Sequence, residues 1–211
     1  VVVFDNADGS VLGDFVPAGS GGLEFAEGLA LGPDGNLYVA SARTDAVLRF
    51  NGSNGAFIDD FVAPSGQQSP MGIAFGPDGN LYVTSRFTNE VFVFDGDTGD
   101  FLVNFVAARD GGLLTPEALA FGPDGNLYVA SANTNEILRY DGNNGSFIDA
   151  FVPAGSGGLD YPHALLFDGA GRLYVSSHFT DSVIEYNAAT GALVGDAIAP
   201  GAGGLIEPVG L

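Results

Sequence analysis

An all-β fold, built from one repeated four-stranded antiparallel unit, is predicted by two observations. The string GPDGNLYV begins at Gly32, Gly76 and Gly122, and a degraded copy, DGAGRLYV, begins at Asp168. Copies recurring at about 46 residues mark one supersecondary unit repeated and stacked. Within each unit, short apolar runs alternate with Gly-, Asn- and Asp-rich turns, and helical periodicity is absent.

The copy from Glu117 to Pro153 shows the strands in order. Ala118–Phe121 is the first. Gly122-Pro123-Asp124-Gly125-Asn126 then turns the chain, Pro presetting φ and Gly supplying φ > 0. Leu127–Ser131 is the second strand, followed by the polar connection SANTNE. Ile137–Tyr140 is the third, closed by the tight turn DGNNG. Ser146–Val152 is the fourth, and PAGSGGLDYP leads to the next unit. Leu127-Tyr128-Val129-Ala130 is apolar on both faces, so this strand is covered on both sides. Meanders that bury both faces need neighbours on each side, and a closed ring of them is a β-propeller. A parallel β-helix would want shorter coils, and an immunoglobulin-like sandwich would not repeat at this period.

A single propeller domain over residues 1–211 follows. Residues 1–26 supply the outer strands of a closing blade, since VVVFDNADGSVLGDFV at 1–16 aligns with VFVFDGDTGDFLVNFV at 91–106. Complete blades are expected over 27–70, 71–116, 117–162 and 163–208, with 209–211 starting the next inner strand. The register predicts five blades and leaves the fifth roughly 18 residues short. A six-bladed parent is the alternative.

Composition narrows the function classes. The chain is 46% hydrophobic, enough for a core despite 33 glycines. No run approaches the ~18 apolar residues that cross a bilayer, so membrane insertion is not expected. Twenty-six acidic residues face six arginines and no lysine, for a formal net charge of −20. Such a surface repels phosphate backbones and anionic headgroups, so nucleic acid is not an expected partner. The balance suits an extracellular or cell-surface setting, with the periplasm as the alternative. Zero cysteines remove disulfides, thiolate metal sites and thiol catalysis.

The pattern Pro-x-Gly-Leu-Ala-Phe-Gly-Pro-Asp-Gly-Asn-Leu-Tyr-Val-Ala-Ser, with a Thr-Asn turn and a Val-Leu-Arg-Tyr strand after it, resembles NHL-type propeller repeats. Related six-bladed propellers include the gluconolactonase/regucalcin-like and streptogramin lyase-like groups. The resemblance covers essentially the whole chain and implies the fold. It leaves function open, because such propellers include interaction modules, lyases and metal-dependent lactonases. Glu27-Gly28 matches the inner-strand Glu-Gly of the gluconolactonase type. That type also has Pro-Asn-Gly where this chain has Pro70-Met71-Gly72 and Pro116-Glu117-Ala118, and Asp where it has Ser41, Ser85, Ser131 and Ser177. The streptogramin lyase type shares Gly-Pro-Asp-Gly-Asn-Leu but continues Trp-Phe-Thr, and this chain has no Trp.

A ligand site is expected at one mouth of the central channel, where the copies differ on a constant scaffold. The residues after the strand-opening Pro (Ala26 in the first copy) are Glu27, Met71, Glu117, His163 and Val209. The connections between second and third strands add Arg43, Arg86, Phe87, Asn133, His178 and Phe179. Glu27, Glu117 and His163 are candidates to hold Ca2+ or another divalent cation, or to act as acid–base groups. His163 with His178 is the sharpest catalytic pair. No other cofactor is indicated, and no complete catalytic set is present. The resulting reading is a secreted or surface-exposed, non-catalytic interaction module for a protein, small-molecule or glycan ligand. The alternatives are a metal-dependent hydrolase or lyase at the channel mouth, and a self-associating extracellular assembly protein. Asp95–Asp100 imitates a calcium loop but lacks the distal Glu of an EF-hand, and a hairpin turn explains it.

Overall fold

A computed structural model describes residues 1–64 and 68–211. Among these residues it forms four four-stranded antiparallel meanders and one two-stranded sheet. The small sheet is β1 (Val2–Phe4) with β2 (Val11–Asp14). Blade one is β3 (Ala26–Leu31), β4 (Leu37–Ser41), β5 (Ala46–Phe50) and β6 (Phe57–Val62). Blade two is β7 (Pro70–Phe75), β8 (Leu81–Ser85), β9 (Glu90–Phe94) and β10 (Phe101–Val106). Blade three is β11 (Pro116–Phe121), β12 (Leu127–Ser131), β13 (Glu136–Tyr140) and β14 (Phe147–Val152). Blade four is β15 (Pro162–Phe167), β16 (Arg172–Ser177), β17 (Ser182–Asn187) and β18 (Leu193–Ile198). The chain is an all-β propeller, and its core lies in layers between successive blades.

The repeated octapeptide locks itself. In the third copy, Asp124 Oδ1 accepts the Asn126 N–H at 3.1 Å, and Oδ2 accepts the Tyr128 hydroxyl at 3.0 Å. Asn126 Oδ1 accepts the Gly142 N–H at 3.3 Å, tying this turn to the following hairpin. A Cβ on Gly122 would collide with the Tyr128 ring. The same carboxylate contacts recur at Asp34 and Asp78.

Two devices join the blades. The first is aromatic: Tyr128 meets Phe151 of its own outer strand and Phe167 of the next blade edge-on, at 4.9 and 4.8 Å. Tyr38 and Tyr82 repeat the arrangement. The second is polar. Asp45, Asn89, Asn135 and Asp181 adopt left-handed φ of 54–59°, a conformation Asn and Asp tolerate better than other non-Gly residues. Their side-chain oxygens accept the N–H of the residue leading into the next inner strand, Ser69, Thr115 and Tyr161, and of Glu207 at the equivalent position, at 2.7–2.9 Å.

The inner strands aim residues into the channel. Each carries a bulge near its start, between Ala26 and Leu29, Pro70 and Ile73, Pro116 and Leu119, and Pro162 and Leu165. A bulge leaves a residue outside the ladder and re-aims its side chain. Glu27, Met71, Glu117 and His163 lie in these bulges and line the channel. The freed N–H of Gly72 donates to Thr84 Oγ1 at 2.8 Å, and Thr84 donates to the Glu117 carbonyl at 2.7 Å. A Cβ on Gly72 would stand 2.5 Å from that carbonyl oxygen, a backbone atom that cannot rotate away. Gly72→Ala is expected to cost about 1–3 kcal/mol by overpacking, read as a lower urea midpoint at unchanged m. An unchanged midpoint would show that β7 and β11 are not in close contact.

The four blades make an arc. Inner strands pack β3 on β7, β7 on β11 and β11 on β15, and no comparable packing joins β15 to β3 among the described residues. Leu29 is therefore 50% exposed, while Ile73, Leu119 and Leu165 at the same blade position are 6%, 6% and 9% exposed. The fifth blade position, expected to be incomplete, holds two pieces. Phe15 and Val16, immediately after β2, pack onto blade one, and Glu207 hangs from Asp181. Residues 209–211 carry no ladder pairing and line the channel near His163.

Candidate functional site

The channel mouth is a cavity of about 350 Å³ whose wall includes Glu27, Met71, Glu117, His163 and Val209. Glu117 is its most constrained group, with a side chain 1% exposed. Its Oε1 accepts the Tyr161 hydroxyl at 3.0 Å, with Arg86 Nε at 3.6 Å. Arg86 also donates to the Tyr161 oxygen at 2.9 Å, so the three side chains hold one another. Glu117 Oε2 is buried without a hydrogen-bond partner, and His163 Nε2 stands 3.7 Å from it. His178 has a buried, unpartnered Nδ1, and its ring lies 6.0 Å from His163 and 5.7 Å from Tyr161.

Burial governs the electrostatics. It pushes the Glu117 carboxyl up to about 7, with the Glu27 charge acting the same way and Arg86 and Tyr161 opposing. It also pushes the His163 imidazole below its ordinary range, helped by His178 and Arg86. Glu27 is raised by burial too, against the pull of Arg86. Near neutral pH, His163 is a neutral base beside a carboxyl that exchanges its proton readily. An unsatisfied buried polar atom costs about 1–3 kcal/mol, and one on the channel wall at Glu117, with a second at His178 behind it, is a reason to look for a ligand.

A second cavity of about 340 Å³ opens beside the first, between blades one and two. Phe25, Arg43, Arg86 and Phe87 line it, and Glu27 and Met71 line both cavities. Phe179 lies on blade four, 5.1 Å from Tyr161 and 4.8 Å from His178. Asn133 joins neither cavity; its amide donates to Thr115 Oγ1 at 2.6 Å. Glu27, Glu117 and His163 share the channel, yet among the described residues no group of three or more His, Asp or Glu is arranged to hold a metal ion. The expected set for Ca2+ or another divalent cation is thus not assembled. Asp95 spends its Oδ1 on the N–H groups of Asp97 and Thr98, as a hairpin turn requires.

Tyr161 is the residue that sequence reasoning missed. It precedes the strand-opening Pro162, where the other copies carry Phe25, Ser69, Thr115 and Glu207. That variability between copies is the signal in the sequence that marks the position. Its left-handed φ of 55° and the Asn135 latch turn its phenol toward Glu117.

These features define a β-propeller with a polar channel-mouth site, and comparison with known proteins agrees on the fold. The model of a family described as strictosidine synthase-like, N-terminal, matches residues 102–133. No curated protein sequence matches the chain. A Staphylococcus aureus virginiamycin B lyase, a catalytically inactive His-to-Ala variant with quinupristin, is similar at 16% identity and TM-score 0.64, over 88% of this chain and 59% of that one. A streptogramin B lyase is similar at 15% identity and TM-score 0.68, over 94% and 61%. A Bacteroides caccae protein of unknown function is similar at 19% identity and TM-score 0.68, over 98% and 77%. The chain therefore spans about three fifths of the length of these lyases (59% and 61%). It is a β-propeller related in fold to the streptogramin lyases and similar in part to strictosidine synthase-like propellers.

Proposed function

We propose that this propeller carries an acid–base site of lyase type, in which His163 and Glu117 move protons at a small ligand in the channel mouth. The carrying observation is the buried, unpartnered Glu117 Oε2 beside His163 Nε2. Burial favours the neutral form of both groups, so the reactive pair is an imidazole and the carboxylic acid that Glu117 keeps up to about pH 7. In an elimination, His163 Nε2 takes the proton from carbon, the carbon–carbon double bond forms and the carbon–oxygen bond breaks. Glu117 Oε2 gives its proton to the departing oxygen. The imidazolium and carboxylate left behind are neighbours, so the proton returns and the site resets. Arg86 and Tyr161 hold Oε1, leaving only Oε2 for the ligand. The fold shared with streptogramin B lyases supports this reading, as does the catalytic inactivity of a His-to-Ala variant among them.

The test is to incubate the chain with quinupristin and a panel of β-acyloxy carbonyl compounds in 18O-water, with mass spectrometry as readout. Elimination without 18O incorporation is expected, falling about 100-fold or more in His163→Ala and Glu117→Gln. Incorporation of 18O would reassign the site to hydrolysis. Binding without turnover, unchanged in either variant, would return the site to the second reading, a binding module whose rim is the exposed Phe25, Phe87 and Phe179. For the ring we propose five blade positions, supported by the Asp181–Glu207 latch and the β1–β2 outer strands. The net charge of −20 supports an extracellular, surface or periplasmic setting.

A further inference from the structure

We propose that the second cavity is a subsite for an aromatic carboxylate, the recognition end of a ligand whose reactive end meets Glu117. This inference rests on the acid–base reading for the reactive end only. The aromatic preference comes from the walls. Phe25 and Phe87 are 58% and 69% exposed where they border the cavity, and the buried Met71 lies between the two cavities. Large side chains left open around a concave space of this size fit an aryl group.

The preference for a carboxylate comes from Arg43. Arg49, Arg86, Arg139 and Arg172 each have a carboxylate partner. Among the described residues Arg43 has none within ion-pair distance, in a chain with 26 acidic residues, and the remaining arginine, Arg109, lines neither cavity. The Arg43 guanidinium lies over the Phe25 ring at 5.1 Å. Stacking fixes the plane of the guanidinium and leaves its edge donors for a two-point bond to a carboxylate. The acidic groups nearby do not occupy it. Asp45 accepts the Ser69 N–H at 2.8 Å, and Glu27 is drawn toward its neutral form by burial. Glu27 and Met71 line both cavities, so one ligand can span them. A chain of net charge −20 opposes indiscriminate binding of anions, which makes a bound carboxylate a local effect.

Calorimetry on the full chain with 3-phenylpropanoate, 3-phenylpropanamide and 2-phenylethylammonium tests this. The carboxylate is expected to bind about tenfold more tightly than the amide, and the ammonium not to bind. Arg43→Gln should remove that tenfold preference while leaving amide affinity unchanged, and Phe87→Ala should weaken both ligands. Matching thermal unfolding curves would show that the variants remain folded. Equal binding of the three probes, or an unchanged carboxylate affinity in Arg43→Gln, would overturn the proposal. Glu117→Gln is expected to keep the phenylpropanoate affinity and lose elimination, so failure of the subsite and failure of the acid–base reading are separate results.

Discussion

Tyr128→Ala is expected to lower stability by about 3–5 kcal/mol, the cost of emptying a fully packed aromatic site. The ring is 1% exposed and wedged between Phe151 and Phe167, so its loss opens the seam between blades three and four. Asp124 Oδ2 also loses the Tyr128 hydroxyl, keeping the Asn126 amide at 2.8 Å. Tyr128→Phe keeps the ring and should cost about 1 kcal/mol, the net value of one hydrogen bond. Tyr174 is the internal control. It occupies the same position in blade four, but Ala197 stands where Phe151 stands, and its hydroxyl is 3.4 Å from Asp168. Urea unfolding of the three variants gives the answer. A loss in Tyr128→Ala no larger than in Tyr174→Ala would mean that the seam is not built on these tyrosines.

Glu117→Gln is expected to change how stability depends on pH. Burial raises the folded carboxyl from its ordinary 4.5 to about 7, so the folded state holds a proton that the unfolded state releases between these values. This contribution is complete below about 4.5 and is lost as pH rises through about 7. At about 1.36 kcal/mol per unit it amounts to about 3 kcal/mol at most. His163 works in the opposite direction. Its depressed folded value means that stability is lost as pH falls below its ordinary 6.5. Wild type and Glu117→Gln share the histidine, so the difference between them reports the carboxyl together with its coupling to His163. The two should have similar stability at pH 5, and wild type should be the weaker at pH 8. A difference that does not vary with pH would mean that Glu117 is ionised as an ordinary surface carboxylate.

The fold was legible because its determinants are local. Gly122, Asp124, Gly125, Asn126 and Tyr128 each satisfy a bond or a steric limit within their own turn, so the string GPDGNLY announces the turn wherever it is copied. The channel face was legible for a related reason: His163 and Glu117 differ between copies on a constant strand. The geometry that makes a site of them was not. The Tyr161–Glu117 bond joins residues 44 apart in sequence and depends on a left-handed residue, an inter-blade latch and a bulge acting together. Asn133 shows the reverse case, a variable polar residue on the right face that caps Thr115 instead of meeting the channel. The metal expectation rested on residue type alone. The bulges bring Glu117 and His163 within 3.7 Å, and among the described residues no further ligand joins them as a cation needs.

The most direct test is a 13C NMR titration of the Glu117 side-chain carboxyl, assigned by its absence in Glu117→Gln. A midpoint near 7 is expected, as burial in the channel requires, with a shift when His163 is replaced by alanine. A midpoint near 4.5, the ordinary value for glutamate, and indifferent to His163→Ala would contradict the acid–base site.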